Sequence, residues 1–116
     1  MKIGTDIIAI SRIEKALEKF GDSFKERFLC EDEIKLTKRA ASIAGFWAAK
    51  EAISKAFGCG IGSELGFHDI IISKNAKGAP CFTLSQKAAL KFPHHTSSLS
   101  ISHDGGFAIA VVVISD

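Results

Sequence analysis

No apolar run in these 116 residues approaches the roughly 18 to 20 that a membrane helix needs; the longest is Phe107 to Ile114. A membrane role is not expected, and the chain reads as soluble. Cysteine is scarce: Cys30, Cys59 and Cys81 are odd in number, far apart and without a C-x-x-C pair, and no secretory apolar segment follows Met1. This disfavours a disulfide framework and export, so buried thiols in a reducing cytoplasm are expected. Charge of one sign is lacking too. Fifteen Lys and Arg against thirteen Asp and Glu leave +2, too little to bind nucleic acid by bulk electrostatics. There is no internal repeat, low-complexity segment or linker, and a composition that is 47% hydrophobic suffices for one core, so residues 1–116 are read as a single domain.

Along the chain, Ile3, Ile7, Ile8 and Ile10 predict an opening strand, and Ser11-Arg12-Ile13-Glu14 has the spacing of a helix-capping box. A helix is expected from Ser11 to Phe20, ended by Gly21, with two charged helical pieces at Asp22–Leu29 and Glu31–Arg39. A central helix should begin at a Ser42 cap and stop at Gly58. Its Gly45, Ala49, Ala52 and Ala56 form a flank on which another backbone can pack closely, beside an apolar flank of Phe46, Ile53 and Phe57. Phe67–Ser73 and Cys81–Leu84 read as paired strands around an Asn75–Pro80 turn, followed by a short helix near Gln86–Phe92. Alternation at Leu99 and Ile101, an Asp104-Gly105-Gly106 turn, and alternation from Phe107 to Val113 predict a closing hairpin. The result is an α+β fold with helices packed on a largely antiparallel sheet, and the apolar last strand favours oligomerisation.

Chemistry concentrates at a few residues. Glu51 and Lys55 lie roughly 40° apart on one helix face, with Ala44 and Ala48 beside them, where a bulky ligand has room to approach. An ordinary i,i+4 surface ion pair is the competing reading. Asp6 interrupts an isoleucine-rich strand and needs either a salt-bridge partner or a cation shared with Glu51, for which Mg2+ is the natural candidate. Gly58-Cys59-Gly60-Ile61-Gly62 offers backbone that can approach a phosphate or simply turn. It follows a helix and lacks Gly-Lys-Ser/Thr, so it is no P-loop, and it does not satisfy G-x-G-x-x-G after a strand. His103 stands at a strand end, where an imidazole can face a ligand or decorate the turn. His94-His95 lacks zinc spacing, and His68 is read as structural. Arg12, Lys15 and Lys19 make a basic stripe beside Ile13, Leu17 and Phe20, either a solvated face or a dock for an acidic helix.

Three separated segments coincide with one family: Gly4-Thr5-Asp6 with Arg12, Trp47-Ala48-Ala49-Lys50-Glu51-Ala52 through Gly60, and Leu99-Ser100-Ile101-Ser102-His103-Asp104 with Ala108-Ile109-Ala110. The chain resembles the holo-acyl-carrier-protein synthases, the short bacterial type of 4'-phosphopantetheinyl transferase, over essentially its full length. Phe67-His68-Asp69-Ile70 and Gly78-Ala79-Pro80 fall in order between the motifs.

The resemblance implies transfer of the 4'-phosphopantetheine arm of coenzyme A to a serine of apo acyl carrier protein, releasing adenosine 3',5'-bisphosphate, with Mg2+ on the pyrophosphate and a place in fatty acid biosynthesis. It implies Asp6 and Glu51 as metal ligands, and Lys55 beside the pyrophosphate. Glu51 would help deprotonate the serine, directly or through a metal-bound water. His103, with Gly58, Gly60 and Pro80, would belong to the coenzyme A pocket, and Arg12, with Lys15 and Lys19, to carrier docking. It further implies a homotrimer with sites between subunits. Phe46 stands where many members carry arginine and Cys59 where they carry threonine, so Lys38 or Arg39 is the expected replacement cation. Two other readings use the same residues: a Mg2+-dependent hydrolase of a small nucleotide or pyrophosphate, and a non-catalytic binding module, which leaves Asp6 without the cation that rationalises it.

Overall fold

The computed structural model describes residues 1–116. Strand β1 (Lys2–Ala9) leads into helices α1 (Ile10–Phe20), α2 (Asp22–Glu26), α3 (Glu31–Leu36) and α4 (Ala40–Ala56). A 3-10 turn at Phe67–Asp69 then opens β2 (Ile70–Lys74), and β3 (Pro80–Leu84), α5 (Gln86–Lys91), β4 (Ser97–Asp104) and β5 (Phe107–Ile114) complete the chain. The expected α+β architecture is present. One antiparallel sheet has the order β1-β5-β4, so the opening strand does join the closing hairpin, while β2 and β3 form a separate antiparallel pair. No helix is long and apolar enough to cross a membrane.

Local chemistry explains several boundaries. Gly21 and Gly58 take positive φ, of 61° and 84°, just past the ends of α1 and α4. Gly105 and Gly106, at 58° and 87°, make the two-residue connection in which Asp104 pairs with Phe107. Ser85 caps α5, its Oγ accepting from the Ala88 amide at 3.2 Å.

Other boundaries differ from the expectation. Ser11 does not cap α1, which begins at Ile10; the Ile10 amide donates instead to the Gly106 carbonyl at 2.8 Å, so a turn far along the chain satisfies that helix end. Ser42 lies inside α4, which starts at Ala40. Helix α3 stops at Leu36 rather than Arg39; Cys30 is its N-cap residue, and Glu33, at the third helical position, accepts from the Cys30 amide through Oε1 at 2.9 Å. The Cys30-x-x-Glu33 spacing was the available signal. Phe67–Asp69 is a 3-10 turn, not strand.

Helix α4 packs across β1 and β5 on the flank of small residues. A methyl group on Gly4 would overlap the Ala52 carbonyl oxygen and lie 2.9 Å from the Ala56 nitrogen, and one on Gly45 would lie 2.7 Å from the Ile101 side chain. At Gly4 backbone meets backbone. The sheet face toward α4 carries buried Ile8, Ala108, Ala110, Val112 and Ile114 within a single core cluster. The opposite face leaves Ile3, Ile7, Phe107, Ile109 and Val111 exposed. Trp47 packs with Phe28 and Phe67 at ring separations of 5.0 and 4.8 Å on another side of α4. Ala44 and Ala48 are also fully buried, so the space expected beside Glu51 and Lys55 is filled by protein. Cys30 and Cys59 are half-buried free thiols, Cys59 pushed up in pKa chiefly by burial, while Cys81 is exposed rather than buried.

Candidate active site

Two candidate regions lie along α4. In the first, β1 and the last turns of α4 bring together Asp6, Glu51 and Lys55. Asp6 sits on the sheet face turned toward α4, level with Ala110 and Ile101 on the neighbouring strands. Its side chain is only 15% exposed, and its Oδ1 accepts from Lys55 Nζ at 2.9 Å. Lys55 also donates to the Thr5 carbonyl at 3.2 Å and makes no ion pair with Glu51, so the i,i+4 pair is not formed. A half-buried Glu51 is left without an ionic partner. Burial first, and then the charge of Asp6, push its carboxyl above the ordinary range, with Lys55 opposing the shift.

This arrangement suits a hard cation. Two neighbouring carboxylates with one ammonium carry excess negative charge, and the raised Glu51 pKa expresses the cost of burying a carboxylate first and of the like charge of Asp6 second. No group of three or more His, Cys, Asp or Glu side chains converges. Mg2+ is commonly held by one or two protein carboxylates, with water and phosphate oxygens completing its shell. Asp6 and Glu51 fit that donor set.

The second region is a cleft of about 210 Å³ between the start of α4, the β2–β3 hairpin and β4. Ser42, Phe46, Lys74, Pro80, Ile101 and His103 line it. His103 and Pro80 are thus brought together as expected, with Phe46 as an apolar wall. Lys38 and Arg39 are exposed and do not line the cleft; Lys74 does, a cation the sequence reading missed because only the β2–β3 pairing carries it there.

Gly58 and Gly60 are outside the cleft. Their amides donate to the Lys55 and Ser54 carbonyls at 3.0 and 3.2 Å, closing the end of α4. Arg12, Lys15 and Lys19 are all exposed on α1, beside a buried Ile13 and a half-buried Leu17. Phe20 ends this stripe beneath Arg27, at 4.8 Å from its ring. His68, read as structural, has its Nε2 at 2.8 Å from the Glu26 carbonyl, and His94 stacks on Phe82.

The fold and these two regions define a class of transferase: a model of the 4'-phosphopantetheinyl transferase superfamily matches residues 2–112. Holo-acyl-carrier-protein synthase from Sulfurovum sp. (strain NBC37-1) is 60% identical over 114 residues, covering 98% of this chain and 96% of that protein. The synthase of Nautilia profundicola is 58% identical over 112 residues, covering 97% of each. Among solved structures, Helicobacter pylori holo-acyl-carrier-protein synthase in complex with coenzyme A superposes with a TM-score of 0.94 at 55% identity, over 97% of this chain and 99% of that one. The Neisseria meningitidis synthase superposes at 0.89 with 32% identity, over 99% and 98%. The chain belongs to the 4'-phosphopantetheinyl transferase superfamily, in its holo-acyl-carrier-protein synthase branch, and is a phosphopantetheinyl transferase.

Proposed function

We propose that this enzyme transfers the 4'-phosphopantetheine group of coenzyme A to a serine of apo acyl carrier protein in the cytoplasm, with Mg2+ as cofactor. The observation that carries the reading is the convergence of Asp6 on the opening strand with Glu51 and Lys55 on α4, Lys55 lying 49 positions along the chain from Asp6. The serine oxygen attacks the phosphorus that bears pantetheine, and the bond to the departing adenosine 3',5'-bisphosphate breaks. Glu51, beside the reacting phosphate, takes the serine proton as general base. Lys55, already 52% exposed beside Asp6, turns to the pyrophosphate and offsets charge on the leaving oxygen. Mg2+, when bound by Asp6 and Glu51, supplies Lewis acidity to the phosphoryl oxygens. His103, Pro80 and Lys74 hold coenzyme A in the cleft, and the α1 stripe of Arg12, Lys15 and Lys19 receives the acidic carrier. Free thiols suit the cytoplasmic assignment.

The test is incubation with coenzyme A and Mg2+, with and without apo carrier. A carrier mass gain of one phosphopantetheine supports transfer. Bisphosphate release without carrier supports the hydrolase instead.

Lys74→Ala is expected to raise KM for coenzyme A roughly tenfold with kcat little changed, because one charge-assisted contact to a phosphate is worth about 1.5 kcal/mol. Steady-state kinetics checks it. An unchanged KM would remove Lys74 from the binding site.

We further propose a homotrimer whose active sites lie between subunits. Within one chain the cleft and the acid cluster are separate: Asp6 is on β1 and His103 on β4, with β5 between them. The exposed apolar face, with Ile3 at 69% and Ile7 at 60%, is material for a subunit contact. Ile7→Lys is expected to give a folded monomer with little transferase activity. Analytical ultracentrifugation showing an unaltered assembly would refute this use of the face.

A further inference from the structure

Glu33 and Lys50 are fully buried at 0% exposure, and neither belongs to the cleft or to the acid cluster. Lys50 Nζ donates to Glu33 Oε1 at 2.9 Å, to the Phe28 carbonyl at 2.6 Å and to the Phe67 carbonyl at 3.0 Å, which uses all three ammonium hydrogens. Glu33 Oε1 also takes the Cys30 amide at 2.9 Å, and its Oε2 takes the Ile72 amide at 2.8 Å. One saturated network thus joins α3 and the segment before it, the 3-10 turn, β2 and α4.

Stability alone does not account for this network. Desolvating two charges cancels much of their attraction, and an apolar pair of similar volume commonly does as well or better. Hydrogen bonds add what apolar contacts lack, which is direction. Direction matters for α4 in particular, because its sheet-facing flank is Gly45, Ala49, Ala52 and Ala56. Those residues permit close approach but present few protruding side chains to interlock on that flank, so the rotation of α4 is set largely from its other faces, where Trp47 packs on Phe28 and Phe67 and Lys50 makes its directional hydrogen bonds. A rotation of 20° moves an atom at the side-chain radius of about 5 to 6 Å by roughly 2 Å. Displacement of about 1 Å already impairs catalysis substantially. Lys50 immediately precedes Glu51, so anchoring its ammonium fixes the helix at the turn that aims the Glu51 carboxylate.

We infer that Glu33 and Lys50 are positioning residues for the reaction: their buried network holds α4 in the rotation that directs Glu51 toward Asp6 and the reacting phosphate. The inference rests on the transferase reading above and deepens it.

The test replaces the pair together, Glu33→Leu with Lys50→Met, so that no charge is left buried alone. Two measurements are made on the full chain: Mg2+ binding by calorimetry in the presence of coenzyme A, and carrier modification by mass. The variant should unfold cooperatively, with Mg2+ affinity and kcat each lowered roughly tenfold or more, as for other losses of residues that orient metal ligands, and KM for coenzyme A within about twofold of wild type. A folded double variant with wild-type Mg2+ affinity and kcat overturns the inference. Should the double variant fail to fold, Glu33→Asp decides: its shorter carboxylate cannot keep the Cys30, Lys50 and Ile72 donors together. It is expected to weaken Mg2+ binding in the same direction by less, and unchanged binding overturns the inference. Absence of transfer and of Mg2+ binding in the wild-type chain would instead defeat the transferase reading itself.

Discussion

Glu51→Gln is expected to reduce carrier modification by about 10²- to 10⁴-fold, the usual contribution of a positioned general base, while raising thermal stability at neutral pH. The two effects have one origin. Glu51 lies half-buried beside Asp6, and burial followed by that like charge raises its carboxyl above the ordinary range. In metal-free protein the native state therefore holds this proton more tightly than the unfolded chain does. Stability conferred by the protonated form is present at acid pH and declines as pH rises from the ordinary carboxylate pKa through the raised one. Glutamine keeps the shape without the charge, so the variant loses that decline. Thermal melts at matched acid and neutral pH, without Mg2+, should show the variant gaining only at the neutral end. The wild-type transfer rate should fall on acidification, since the base is then protonated and the metal-binding carboxylates compete with protons. Near-normal turnover of the variant would remove Glu51 from the chemistry, and equal melting at both pH values would remove the electrostatic strain.

Gly4→Ala is expected to destabilise the fold by about 3 kcal/mol or more, near the upper end for overpacking, and to lower the melting temperature by about 10 °C. Two terms oppose each other. Alanine in a strand interior should gain about 0.5 to 1 kcal/mol over glycine through unfolded-state entropy. Against that, the added methyl overlaps the Ala52 carbonyl oxygen and crowds the Ala56 nitrogen, both backbone atoms of a buried helix that no rotamer change can move. The clash wins severalfold, and β1 and α4 must separate. Because Asp6 follows two residues later on β1 and Lys55 stands on α4, their 2.9 Å pairing should be lost with the packing. Gly58→Ala does not share this mechanism, because nothing lies within 4 Å of a methyl there; its cost is confined to the positive φ. A Gly4→Ala protein melting within a few degrees of wild type would refute the close backbone contact.

The elements that local chemistry dictates were legible in advance. Gly21 and Gly58 end helices because only glycine takes positive φ without penalty, and Asp104-Gly105-Gly106 turns a hairpin for the same reason. The small flank of α4 announced a close contact, and Gly4 supplied it. Where distant segments meet, the reading failed: the Gly106 carbonyl displaced Ser11 as the partner for the start of α1, and Ala44 and Ala48 proved to be core. Lys38 and Arg39 gave way to Lys74 in the cleft, since strand pairing and not chain proximity brings a side chain there.

Chain order alone determined most of the element types, the antiparallel closing hairpin and the set of charged residues available for chemistry, because those depend on backbone preferences and periodicity within a few residues. Tertiary structure decided which charges meet. Lys55 turned from Glu51, four positions away, to Asp6, 49 positions away. Lys50, indistinguishable in sequence from any surface lysine, took Glu33 into the core. A side chain selects its partner by the free energy of desolvation and pairing at its final location, and that location exists only once the sheet and α4 have come together.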